Sequence, residues 1–229
     1  MKKLIVLLWG FAATMGLYAQ NTFFPSTAGI VQTYVQKNDK GKVENYTRQT
    51  INDVQTSGDE MIVAYTFESL DKDQKPTDPP VAIPCKVTIK GDVVTLDMNE
   101  AFAGMQNEGL NALIEITGVP MEISGSLKPG EKMKDANMLM TMDLGIMKMK
   151  TSIQMTEGKC LAIEDVTVPA GTFTCHKITQ TTTTTAMRKK TVATTISWYA
   201  LGIGTVKTET YNEKNKLTGS MELIQLTKP

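Results

Sequence analysis

The chain is poor in the residues on which much soluble catalysis depends. It has one histidine, three cysteines and two tryptophans among 229 residues, and aromatics make up only 6%. Any serine or cysteine nucleophile would have to share the single base His176, and His176 directly follows Cys175. Neighbouring residues of a strand point to opposite faces, so those two cannot act as a thiol and imidazole pair. His176 is expected as an exposed strand residue. The aromatics are also too sparse for the two girdles of an outer-membrane barrel, and the C-terminal LIQLTKP carries no aromatic strand end. An excess of positive charge is missing as well: 24 Lys and Arg face 24 Asp and Glu. Nothing in that balance attracts a polyanion, and a nucleic-acid partner is not expected.

Long apolar runs are absent except at the start. Lys2 and Lys3 precede an uncharged stretch, residues 4–19, that turns polar at Gln20. The stretch is short against the roughly 20 residues of a spanning helix and has the form of a secretory signal peptide. Cleavage is expected after Ala19, although Leu17 is larger than the small residue usual at that position. No cysteine precedes Cys85, so none stands near the cleavage site to carry a lipid. These features predict a non-lipidated protein of the periplasm or the secreted fraction, without a transmembrane anchor once the leader is gone. Loss of the two leader lysines leaves 22 basic against 24 acidic side chains. Residues 20–229 suffice for one domain that buries roughly 70% of its unfolded surface.

Between turn signals, short β-type runs recur from residue 30 to the end. Strands are expected at 30–36, 43–54, 60–70, 83–89, 93–98, 138–144, 146–156, 159–168, 172–185, 190–199, 205–211 and 216–227. The stretch NEAFAGMQNEGLNALIEI is the exception: Asn99 can cap a helix near residues 99–113, although Gly104 and Gly109 weaken it by about 1 kcal/mol each. A dozen strands do not lie flat in one open sheet. The expected fold is therefore all-β, an antiparallel sheet curled into an open barrel or sandwich, with one short helix.

Three stretches, "VTVPAGTFTCHKI" (166–178), "WYALGIGTVKTETY" (198–211) and "CKVTIKGDVVTLDM" (85–98), resemble the TapB-like family of secreted bacterial proteins, which is related to a wider domain-of-unknown-function group. The resemblance implies an exported β-rich domain. Its motifs are turns and strand corners, and it carries over no catalytic residue.

Other motifs resolve into ordinary structure. Gly202 and Gly204 lack the third glycine and the following helix of a phosphate-binding loop. Asp71, Asp73 and Asp78 lack the glycine of a calcium loop, and Lys75 stands where a ligand is required. The run QTTTTT (180–185) is a good strand, and Arg188, Lys189 and Lys190 belong at a hairpin tip. Three cysteines in an exported protein imply one disulfide and one leftover thiol. A tight turn at Ala170 and Gly171 would set Val166 opposite Cys175 and Cys160 opposite Thr181, leaving the two cysteines about 20 Å apart, whereas a disulfide needs α-carbons within about 7 Å. The pairing expected is Cys85 with Cys175. Asp97 and Glu100 are carboxylates that folding could bring together, but no spacing points to catalysis, and a non-enzymatic role is expected.

What the chain does have is methionine, 15 in all, five of them in "MLMTMDLGIMKMK" (138–150). With Leu144 and Gly145 at a hairpin tip, Met142 opposes Met147 and Met140 opposes Met149. Alternation then puts Met138, Met140, Met142, Met147 and Met149 on one face and Thr141, Asp143, Lys148 and Lys150 on the other. That dry face fits a plastic core, or a surface that holds an apolar small molecule or an envelope protein partner. Thioethers are also soft ligands, so the alternative is a Cu(I) site on Met140, Met142, Met147 and Met149, although no histidine or cysteine lies in the hairpin. No cofactor is expected.

Overall fold

The computed structural model describes residues 21–96, 113–143 and 148–229. Thirteen strands form one antiparallel sheet: β1 (Val31–Asn38), β2 (Val43–Ser57), β3 (Glu60–Leu70), β4 (Ala82–Lys90), β5 (Val93–Leu96), β6 (Leu113–Val119), β7 (Met121–Ser124), β8 (Ala136–Asp143), β9 (Lys148–Val168), β10 (Gly171–Ala186), β11 (Lys189–Ala200), β12 (Gly204–Asn212) and β13 (Leu217–Thr227). Their order across the sheet is β6-β8-β9-β10-β11-β12-β13-β1-β2-β3-β4-β5-β7. The curled all-β sheet is thus present, as one continuous sheet that nearly closes on itself. No helix occurs among the described residues. The helix expected at 99–113 falls outside them, except for Leu113, which opens β6.

The sheet edges explain the closure. β6 and β7 are halves of one extended segment interrupted only at Pro120, and the first half bonds to β8 while the second bonds to β5. Proline has no N–H to give a ladder, which makes it a natural place for a strand to leave one partner for another. One kinked segment therefore spans the gap between the two ends of the sheet.

Turn chemistry is reused. Asn38, Asp71 and Asn212 each accept, through Oδ1, the backbone N–H groups two and four residues on, at 2.8–3.1 Å. In each, the residue three places on has positive φ: Gly41 at 74°, Gln74 at 59° and Asn215 at 55°. Asp71 is thus occupied as a turn cap, which accounts for the acidic loop without a cation. Met187 and Arg188, both at positive φ, make the tight tip of β10–β11 with Lys189 beside them.

Two expected strands, 146–156 and 159–168, are one. At Glu157 (φ 57°) the β9–β10 register shifts, so Glu157-Gly158 is a bulge and not a turn. Buried side chains gather in three clusters, around Ile51, Val63 and Val87, around Trp198, Val206 and Leu223, and around Phe23, Ile123 and Cys160.

Candidate functional site

The segment just after the expected cleavage position is packed inside. Thr22 is fully buried and Phe23 is 3% exposed. The Phe23 ring lies 4.9 Å from the His176 ring and 5.7 Å from that of Tyr199, and Phe24 lies 5.0 Å from Tyr65. The Gly202 N–H donates to the Thr22 carbonyl at 2.8 Å. This plug forms one wall of an interior cavity of about 190 Å3 that also touches Tyr34, Gln49, Tyr65 and Tyr199. Its polar groups are largely engaged with one another: Gln49 Nε2 donates to Gln32 Oε1 (3.0 Å), Gln32 Nε2 to the Ile203 carbonyl (3.0 Å) and the Tyr34 hydroxyl to the Thr205 carbonyl (3.2 Å). Burial pushes the Tyr34 hydroxyl far above its ordinary range, so it stays protonated.

A second cavity, about 260 Å3, lies beneath the seam at Pro120. β6, β8 and β9 supply Ile116, Met138, Ile153 and Met155, and β5 and β7 supply Leu96 and Met121. Its side chains meet because the rungs Gly118–Met138–Ile153 and Ala136–Met155 present one face. Gly118 holds φ 139°, and a Cβ there would collide with the Asn137 carbonyl oxygen, so no side chain can fill the rung beside Met138. The end of β7 is tied down by Asp92, whose carboxylate accepts from the Ser124 hydroxyl and from the Ser126 N–H at 3.1 Å. Those bonds hold Asp92 below the usual carboxylate range.

The methionine face is present in part. Met142 opposes Met149, Met140 opposes Thr151 and Met138 opposes Ile153. The register therefore differs by two from the expected one. A slip of two preserves facing, so Met138, Met140, Met142 and Met149 share a side, all of them half-buried. Met147 lies outside the described residues. Of the four, only Met138 lines the seam cavity. For the Cu(I) alternative, Met142 and Met149 are direct neighbours while Met140 faces Thr151. Among the described residues, no cluster of His, Cys, Asp or Glu could hold a metal ion.

A family model described as DUF3108-like matches residues 27–223, which span β1 through most of β13. The chain belongs to the DUF3108-like family. Solved structures share the fold. A protein from Bacteroides fragilis NCTC 9343, described as exported and with a YmcC-like fold, is 19% identical with a TM-score of 0.70, over 90% of this chain and 99% of that one. A protein from Parabacteroides distasonis ATCC 8503, described as a lipoprotein, is 20% identical with a TM-score of 0.72, over 90% and 98%. No curated protein matches the chain.

Within this family member the cysteines correct the expected bridge. Cys85, Cys160 and Cys175 are all free and buried. Cys85 on β4 and Cys175 on β10 belong to different clusters, with β11, β12, β13, β1, β2 and β3 between their strands. The β9–β10 turn sits at Pro169 and Ala170, so Cys175 opposes Glu164 and Cys160 opposes Ile178. The two hairpin cysteines are not cross-strand neighbours, as the spacing predicted, but by a different register. Burial raises all three thiols, Cys175 to about 11, where the charges of Asp165 and Glu164 add to it. Thiols so disposed are poor nucleophiles.

His176 is half-buried rather than exposed, with Nδ1 2.9 Å from the Leu127 carbonyl oxygen and its ring against Phe23. Gly202 (φ 70°) and Gly204 (φ 90°) turn β11 into β12. Asp97 and Glu100 lie outside the described residues. Sequence reasoning missed Ile116, Val119 and Met121: Ile116 ends the stretch read as helical, and Val119 and Met121 belong to no expected element. The signal was in IEIT, whose alternation has a strand's period of two, followed by a proline.

Proposed function

We propose that this chain is a non-enzymatic protein of the cell envelope, periplasmic or secreted, that holds an apolar, lipid-like ligand in the seam cavity. One observation carries the reading: among the described residues no charged side chain lines that cavity, while Met121, Met138 and Met155 bring adaptable thioethers into it. Apolar concavities with few polar groups are the usual form of small-molecule sites. The leader-like N-terminus supports the envelope location, as do solved relatives described as exported and as a lipoprotein. Within its family we read the chain as TapB-like on the stretches 85–98, 166–178 and 198–211.

The test is fluorescence titration of the mature protein with N-phenyl-1-naphthylamine, an uncharged apolar probe. Met138→Lys puts an ammonium group at the cavity wall and is expected to abolish the signal. Met140→Lys, on the same face but outside the cavity lining, is expected to preserve it. Equal binding by wild type and folded Met138→Lys, or no binding by wild type, would refute the reading.

A further inference from the structure

The seam cavity and the interior cavity are not independent. Leu96 and Met121 line both, and they stand directly opposite each other in the β5–β7 ladder. A single cross-strand pair of flexible side chains is thus a shared wall of the two spaces. At about 260 and 190 Å3, each falls short of the roughly 300 Å3 at which small-molecule sites begin, and joined they exceed it.

Resting on the binding function proposed above, we infer that the two cavities form one bent channel gated by Leu96 and Met121, and that its ligand is a single-chain lipid bound tail-first with its polar head outside. Three features select that chemistry. Among the described residues no charged side chain lines either cavity, so a carboxylate or phosphate taken inside would lose its hydration without a partner. The polar groups at the inner end are already committed: Gln49 to Gln32, Gln32 to Ile203 and Tyr34 to Thr205. The connection is one residue pair wide, which suits a flexible chain threading past Leu96 and Met121 better than a fused ring system. The head then sits at the mouth, where Thr117 and Asn137 are exposed.

The experiment is displacement of N-phenyl-1-naphthylamine from the mature protein by octanoate, by palmitate and by lysophosphatidylcholine with a palmitoyl chain. The long chain reaches both cavities and the short one fills only the seam. Ile203→Trp fills the inner cavity and leaves the seam lining untouched, because Ile203 lines only the interior space. Palmitate is expected to lose about tenfold or more in affinity in this variant, with octanoate unchanged. Phe24→Ala, which lengthens the inner end, is expected to shift the preferred chain length upward and serves if Ile203→Trp does not fold. Lysophosphatidylcholine competing within a few fold of palmitate supports an external head, and a loss beyond about tenfold overturns the tail-first orientation. If palmitate and octanoate respond alike to both variants, the channel is refuted while the seam site stands. If the naphthylamine probe itself does not bind, the seam site fails with it.

Discussion

Phe23→Ala examines whether residues 21–26 are an integral plug. Full burial of a phenylalanine side chain stabilises by about 1.5–3 kcal/mol, and each aromatic contact adds about 0.5–1.5 kcal/mol beyond area. Phe23 is 3% exposed and makes two such contacts, to His176 and Tyr199. The expected loss is about 3–5 kcal/mol, the range of core Phe→Ala changes that leave a cavity. An upper limit exists, because once the loss exceeds the plug's own binding free energy the segment detaches and the rest of the sheet is spared. Urea unfolding measures the global effect, and at a slope of about 2–3 kcal/mol/M the midpoint should fall by about 1 M or more. Amide exchange measures the local one. The Gly202 N–H, bonded to the Thr22 carbonyl, should lose protection even if the midpoint moves less than expected. A loss below about 1 kcal/mol together with unchanged Gly202 protection would refute the plug.

Two further outcomes follow from titratable groups. Asp92 has its pKa lowered by the Ser124 and Ser126 hydrogen bonds, so its stabilising effect is present above the ordinary aspartate value near ~4 and lost as pH falls through the lowered value. The Ser126 amide should therefore lose protection, measured relative to its intrinsic exchange rate, as the pH drops below ~4, and Asp92→Asn should flatten that dependence; an unaltered profile in the variant would remove Asp92 as its source. Ellman's reagent at mildly alkaline pH should find almost no reactive thiol in the native mature protein and three after unfolding without reductant. A yield of one thiol on unfolding would show a disulfide and contradict the free state of Cys85, Cys160 and Cys175.

Much of the fold is legible because alternation is a local property. Strands such as β3, β10 and β13 announce themselves by β-branched and aromatic residues at a period of two between turn residues, and pairing of sequential hairpins follows. The methionine face shows how far local logic reaches. Its facing survives an error of two in register, because parity alone decides which side a residue takes, but the lining of the seam depends on which rung Met138 occupies. Glu157-Gly158 carries the composition of a turn, and only long-range pairing with β10 keeps β9 continuous through it. The seam itself was illegible for the same reason. Leu96, Ile116 and Ile153 meet through closure of the whole sheet, which no window of neighbouring residues encodes. The disulfide expectation failed likewise: compartment chemistry says that cysteines in an exported chain pair, while the topology sets Cys85 and Cys175 in separate clusters.

The strand order also bears on how the chain reaches this state. β1, the first strand to emerge, lies between β2 and β13, and Val31 pairs with Thr227 near the other end of the sequence. The β1–β13 ladder cannot form until the final strand is available, so β1–β5 on one side and β8–β13 on the other must wait as two partial sheets with unpaired edges. Pairings of such long sequence separation make for slow folding, and waiting edges invite aggregation. In this topology the pairing of β13 with β1 decides when the two partial sheets become one.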